Sequence, residues 1–151
     1  MQIELGDLDS PDVQALLREH MASMQEHSPP ECVHALDLSG LREASVTFWT
    51  VREAGELLGC GALKALNSQS GEIKSMRTAK AHLRKGVATQ LLAHILNEAK
   101  QRQYQRVSIE TGSTAAFHPA ISLYKRFGFT QCGPFADYTD NAFSMFMTLE
   151  L

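Results

Sequence analysis

The sequence has little cysteine: Cys32, Cys60 and Cys132 are its only three, an odd number, far apart, with no C-x-x-C. That arrangement supports neither a disulfide framework nor a zinc site, and it fits a reducing cytoplasm. The sequence also lacks an excess of basic residues. Its formal charge is −3, which leaves no broad positive field for nucleic acid. No apolar run nears the ~20 residues that a spanning helix needs. The start, Met1-Gln2-Ile3-Glu4-Leu5, is acidic and alternating, unlike a signal peptide. Together these absences predict a cytoplasmic protein with no membrane or nucleic-acid partner. No histidine pair has the i, i+4 spacing of a helical metal site; His94 and Glu98 share that spacing, on a face that reads as solvated, so no metal is expected. There is no internal repeat, low-complexity run or long linker. Residues 1–151 therefore read as one domain, with 44% hydrophobic and 21% charged residues, ordinary values for a globular chain.

What is present is a clear alternation of elements. Residues 2–5 read as a short strand. Ser10-Pro11-Asp12 starts a helix, with an N-cap residue, proline in the first turn and an acid near the helix dipole. Val13, Leu16, Leu17, His20, Met21 and Met24 share one face of it, and Ser28-Pro29-Pro30 ends it. Residues 32–41 are ambiguous, a second short helix being one option. Residues 46–51, 57–66 and 72–78 read as strands, with Gly59 and Gly61 marking a bulge or a close backbone approach. A long helix spans 86–102. A strand at 106–110, a helix at 119–127 ended by Gly128, and strands at 129–132 and 142–149 complete the chain. The pattern predicts a mixed sheet with helices on both faces. Consecutive strands joined by short turns should be antiparallel, and the strand–helix–strand unit 72–110 parallel and right-handed.

The junction between the fourth of these strands and the long helix carries the strongest chemical signal. It reads Leu83-Arg84-Lys85-Gly86-Val87-Ala88. A helix start leaves N–H groups unpaired and carries partial positive charge, so it suits a phosphate. The segment lacks the second glycine and the Gly-Lys-Ser/Thr ending of a P-loop, and it lacks G-x-G-x-x-G. Lys80, Arg84 and Lys85 are solvated charges that would also attract phosphates.

These residues resemble the pyrophosphate loop of the GCN5-related N-acetyltransferases (GNAT), whose motif is Q/R-x-x-G-x-G/A. Gly86 and Ala88 fit; Leu83 departs from the Gln or Arg of the first position. A second, later segment, Ala120-Ile121-Ser122-Leu123-Tyr124-Lys125-Arg126-Phe127-Gly128-Phe129, is similar to the family signature A-x-x-L-Y-x-x-x-G-F. Phe117 stands where members often carry a cofactor-binding Asn. Glu110-Thr111-Gly112-Ser113 and Gly133-Pro134-Phe135-Ala136-Asp137-Tyr138, with Phe146-Met147-Thr148, look like a bacterial subgroup of acetyltransferases. Some members of that subgroup are labelled as acting on indole-acetic acid, which offers no amine to aminolysis. The resemblance covers about residues 57–149.

The resemblance implies the α/β (α+β) GNAT fold, a mixed, mostly antiparallel sheet of about six or seven strands with helices on both faces. It implies acetyl transfer from acetyl-CoA, as cosubstrate, to an amine of a small molecule or peptide, with no metal. Tyr124 is the expected general acid, since a phenol of pKa ~10 stays protonated at neutral pH and can protonate a thiolate of pKa ~8.5. Glu72 occupies a position where some members carry the general base, and Glu110 competes for the role. Backbone and side-chain contacts to acetyl-CoA are expected from Met76, Arg77, Thr78, Arg84, Lys85, Gly86, Val87, Ala88, Thr89, Phe117 and Tyr124. Strand alternation puts Glu72, Lys74, Met76 and Thr78 on one face. The acceptor pocket is expected from residues 21–38, with His27 and His34 covering a loop there, and from 135–141, which hold Asp137, Tyr138 and Asp140. Phe143, Met145 and Met147 would line a homodimer contact through the final strands or else the core. A non-catalytic acetyl-CoA-binding sensor is the competing reading, and a ligand-free structural domain ranks last.

Overall fold

The computed structural model describes all residues 1–151. Seven strands form one sheet: β1 (Gln2–Leu5), β2 (Val46–Glu53), β3 (Glu56–Ala65), β4 (Ser70–Thr78), β5 (Arg106–Gly112), β6 (Thr130–Cys132) and β7 (Ser144–Glu150). Their order is β1-β2-β3-β4-β5-β7-β6. All neighbours are antiparallel except β4 and β5. Helices α1 (Pro11–His27), α2 (Leu38–Leu41), α3 (Val87–Gln101) and α4 (His118–Arg126) complete the fold. No helix is long and apolar enough to cross a membrane.

Strand alternation divides the core into two. On β2, Phe48 joins a cluster with Val13, Leu16 and Leu41, beneath α1 and α2. Its neighbour Trp49 points the other way, into the larger cluster built on α3 and α4. On β3, Cys60 and Ala62 face the α1 side while Leu63 faces the larger cluster. Helix α3 buries Val87, Leu91, Leu92, Ile95, Leu96 and Ala99, a helical spacing that keeps one apolar stripe against the sheet. The ambiguous stretch 32–41 resolves into a 3-10 turn, Pro30–Cys32, and the single turn of α2, capped by Asp37, whose carboxylate accepts from Gly40 N at 2.8 Å. Ser10 takes the N-cap place of α1, but its hydroxyl donates to Asp12 instead of accepting from the helix. Asp12 in turn accepts from both terminal nitrogens of Arg52 on β2, at 2.7 and 3.0 Å, which ties α1 to the sheet.

One local irregularity overturns an expectation. Cys60 pairs with Arg77 and Ala62 with Lys74, so the single residue Gly61 opposes two, Ser75 and Met76. This is a β-bulge, and Ser75 adopts a left-handed φ of 57° within it. The extra residue shifts alternation by one. Glu72 and Lys74 keep the expected face, but Met76 turns toward α3, where its sulfur fills the space that a β-carbon on Gly61 would take, beside Leu91 and Ile95. Arg77 turns toward α1, where it meets Glu19. Met76 and Thr78 therefore do not share a face with Glu72 and Lys74. The glycine at 61 leaves the room that Met76 fills.

Met147 is fully buried, and Phe143 and Met145 pack against the larger cluster. β7 lies between β5 and β6 and is not an edge strand.

Ile95 is completely buried in the main cluster. Ile95→Ala should cost about 2–5 kcal/mol in urea unfolding. A second prediction concerns His20, buried on α1, whose pKa is lowered from 6.5 to about 4 by burial and by the positive charge of Arg77. Between those values the unfolded chain binds the proton and the folded chain does not. Stability should therefore fall as pH drops from about 6.5 toward about 4, by roughly 2–3 kcal/mol from this group alone. His20→Gln should flatten that slope when unfolding is compared at pH 7 and pH 4.5.

Candidate active site

The parallel pair β4–β5 is short. Its partners are Ser70 with Arg106, Gly71 with Val107 and Glu72 with Ser108, and the ladder ends there. Beyond Glu72, β4 continues to pair with β3 and β5 continues to pair with β7. The two strands diverge, and a cavity of about 230 Å³ opens between them. Residues Glu72 to Arg77 of β4 and Ile109 to Gly112 of β5 form its sides. Phe117, Tyr124 and Phe143 close one end, and His20, Met24, His27, Cys32 and His34 line the side toward α1.

Tyr124 is 4% exposed, and burial raises its phenol above the usual value, so it holds its proton. Its ring leans on Phe129 at 5.6 Å between centroids. α4 delivers this residue because Ile121, Leu123 and Tyr124 are its buried positions.

Two carboxylates face the cavity. Glu72, 3% exposed, is held in a cluster. The Tyr138 hydroxyl donates to Glu72 Oε2 at 2.5 Å, and Lys74 Nζ lies 3.3 Å from the same oxygen. Lys74 also donates to the Tyr138 oxygen at 2.8 Å. Burial and the neighbouring Glu72 carboxylate raise the Tyr138 phenol. Glu110 carries no ion pair. Burial raises its pKa, offset in part by the Ser144 hydroxyl and by the charges of His34 and Lys74. A carboxyl group raised in this way is a stronger proton acceptor than a solvated one.

Behind Glu72 and Lys74 lies a second, wider cavity of about 800 Å³. His34, Glu72 and Lys74 line both cavities, and residues 134–139 cover the second. The two segments expected to build an acceptor pocket thus meet around one wall. Tyr138 anchors it, with His34 set edge-on at 5.0 Å and Phe135 at 5.2 Å.

The loop before α3 lies outside this cavity. Arg84, Lys85, Gly86 and Thr89 are exposed; Val87 is buried and Ala88 half-buried. Gly86 sits at the N-cap with φ 82°, and a β-carbon there would meet nothing within 4 Å. No side chain caps the helix, and no backbone group accepts from the N–H of Val87, Ala88 or Thr89. This open helix start can take an anion. Lys85 Nζ lies 3.2 Å from His82 Nδ1.

Of the residues expected to contact the cosubstrate, the fold gathers Met76, Arg77, Phe117 and Tyr124 at the cavity. Arg84, Lys85, Gly86, Val87, Ala88 and Thr89 form the separate helix start. Thr78 pairs with Gly59 at the end of β4. Phe117 is 8% exposed and packs edge-on against Phe143 at 5.7 Å, offering an apolar wall. His94 stacks edge-on against Trp49, and Glu98 pairs with Arg102. The Glu72–Lys74–Tyr138 cluster was not anticipated. Its members span 66 positions, and nothing local in the sequence links them.

Comparison with known proteins agrees with this geometry. The sequence model of the Acetyltransferase (GNAT) family matches residues 13–129. The chain is 54% identical to an uncharacterized N-acetyltransferase of Bacillus subtilis, YsnE, with all of both chains covered. A solved structure from Klebsiella pneumoniae, described as an acyl-CoA N-acyltransferase, is 30% identical with a TM-score of 0.83, covering 99% of this chain and 97% of the other. A GNAT family acetyltransferase from Elizabethkingia anophelis with acetyl-CoA bound shares the fold at 20% identity, with a TM-score of 0.73, and covers 99% and 97%. With more than half of its length matched by the family and a full-length relative above 50% identity, the chain belongs to the GNAT acetyltransferase family.

Proposed function

We propose that this protein moves an acetyl group from acetyl-CoA to the amine of a small molecule or peptide by direct attack. The observation that carries this reading is the divergence of β4 and β5 past Glu72, with the Tyr124 phenol at the cavity it opens. The residues present fit the cosubstrate. The unpaired edge of β4 offers backbone groups to an extended amide-containing arm, and the uncapped start of α3 offers N–H groups to a pyrophosphate. Gly86 has no neighbour crowding it, so phosphate oxygens can approach its backbone.

Acetyl-CoA supplies an electrophilic thioester carbonyl and a thiolate leaving group. The chain's own groups then divide the work. Glu110 takes a proton from the acceptor's ammonium, which frees the amine lone pair to attack, since its carboxyl is raised by burial and has no ion-pair partner. Glu72 is less suited to that step, because Tyr138 and Lys74 already occupy its Oε2. We assign Glu72 to fixing Lys74 and Tyr138 at the acceptor side. A backbone N–H of β4 faces the carbonyl oxygen, where negative charge develops. Tyr124 gives its proton to the departing sulfur. Burial raises its phenol, and burial also disfavours a thiolate released beside it, which favours proton transfer to the sulfur.

Thiol release from acetyl-CoA, measured across a panel of amines, tests the activity; no release with any amine overturns it. Tyr124→Phe should lower kcat about 100-fold or more while leaving acetyl-CoA affinity near its original value. Unchanged turnover removes Tyr124 from the reaction. In the pH profile of kcat/KM, Glu110→Gln should abolish the acidic limb and Glu72→Gln should leave that limb in place. The reverse outcome makes Glu72 the base.

A further inference from the structure

Three buried polar side-chain atoms lack a hydrogen-bond partner: His20 Nδ1, Ser75 Oγ and Arg77 Nε. No other buried side-chain nitrogen or oxygen in the protein does. All three residues line the same cavity, the one between β4 and β5. His20 and Ser75 are each 7% exposed, so bulk water does not reach them freely. Buried polar groups in folded proteins are nearly always paired, so a cluster of orphans at one cavity wall marks a place where a ligand completes the pairing.

Local structure explains why they meet. The bulge brings Ser75 to the lining of the cavity, in a backbone conformation that non-glycine residues seldom adopt. The same bulge turns Arg77 toward α1. There Glu19 Oε1 takes one terminal nitrogen of the guanidinium at 3.4 Å, which fixes the group and leaves Nε–H free. Burial and the Arg77 charge keep His20 neutral at working pH. The wall therefore holds, just beneath its surface, a guanidinium N–H, a hydroxyl and a neutral imidazole. This set can pair with the two oxygens of a planar carboxylate. The carboxylates Glu72 and Glu110 belong to the same cavity and suit an ammonium group.

We propose that the acceptor is a free amino acid or a similar small amine carrying a carboxylate, and that His20, Ser75 and Arg77 form its carboxylate subsite. This rests on the acetyltransferase reading above. The chemistry balances without the carboxylate. The ammonium gives one proton to Glu110, the free amine nitrogen bonds to the acetyl carbon, the C–S bond breaks as Tyr124 protonates the sulfur, and the second proton that the nitrogen loses in becoming an amide restores the Tyr124 phenol. The carboxylate only holds the amine in position.

The test compares each amino acid with its own carboxamide and with the amine lacking the carboxyl group, by thiol release from the full chain. At least one amino acid should exceed both analogues by about 100-fold in kcat/KM. Ser75→Ala and Arg77→Gln should each raise KM for that amino acid about 10-fold or more, leave the KM of acetyl-CoA unchanged, and have little effect on the carboxamide. His20→Gln serves as a third probe if Arg77→Gln does not fold. Equal use of the carboxamides, preference for peptide amines, or variants that weaken acetyl-CoA instead of the acceptor overturn the subsite. If no amine is acetylated, the acetyltransferase reading fails by itself, and calorimetry with N-acetyl amino acids in the presence of CoA still decides the subsite. Binding that Ser75→Ala abolishes supports it, and no binding, or binding indifferent to Ser75→Ala, overturns it.

Discussion

The structure depends on a parallel ladder that stops early. β4 and β5 share only the pairs up to Glu72 and Ser108, in the middle of a seven-stranded sheet. Unpaired backbone inside a protein is costly, so the gap persists only because each strand is held from its far side. β3 pairs with β4 along its length, and β7 pairs with β5 from Arg106 to Gly112. Two halves of one sheet, each complete in itself, keep the central cavity open. The larger apolar cluster, shared by α3, α4 and both halves, fixes the angle between them.

That geometry also sets the electrostatics. Removing the cavity walls from water raises the carboxyl of Glu110 and the phenols of Tyr124 and Tyr138, and lowers the imidazole of His20. Each shift favours the neutral form, which is the signature of burial. Glu72 stands apart because Lys74 and Tyr138 compensate it directly. The cavity is thus lined by one ion-paired carboxylate, Glu72, and by one with no ion-pair partner, Glu110.

Much of the fold was legible because it follows from local periodicity. The apolar stripe of α3, the Ser10-Pro11-Asp12 start of α1 and the Ser28-Pro29-Pro30 stop each act within a few residues, and each element formed where those signals lie. Strand directions followed from connection lengths. The face of Met76 was not legible. Strict alternation assigned it to the side of Glu72, and the bulge at Ser75 reversed it. A bulge answers to the register with β3, where Gly61 opposes two residues, and no local propensity of Ser75 announces it. The Glu72–Lys74–Tyr138 cluster escaped for a related reason. Residues 66 positions apart meet only once the sheet and the loop over it have formed.

The sequence by itself therefore determined the elements, their order, the family and the positions of Tyr124 and Gly86. The elements rest on spacing and turn chemistry, which act over short stretches of chain, and the family on the resemblance of segments 83–88 and 120–129 to its motifs. Only the tertiary structure decided how far β4 and β5 pair, which carboxylate is left without a partner, and that His20, Ser75 and Arg77 share one unsatisfied wall. Those properties depend on burial and on distances between segments remote in the chain. They exist only when the two halves of the sheet stand apart around a cavity.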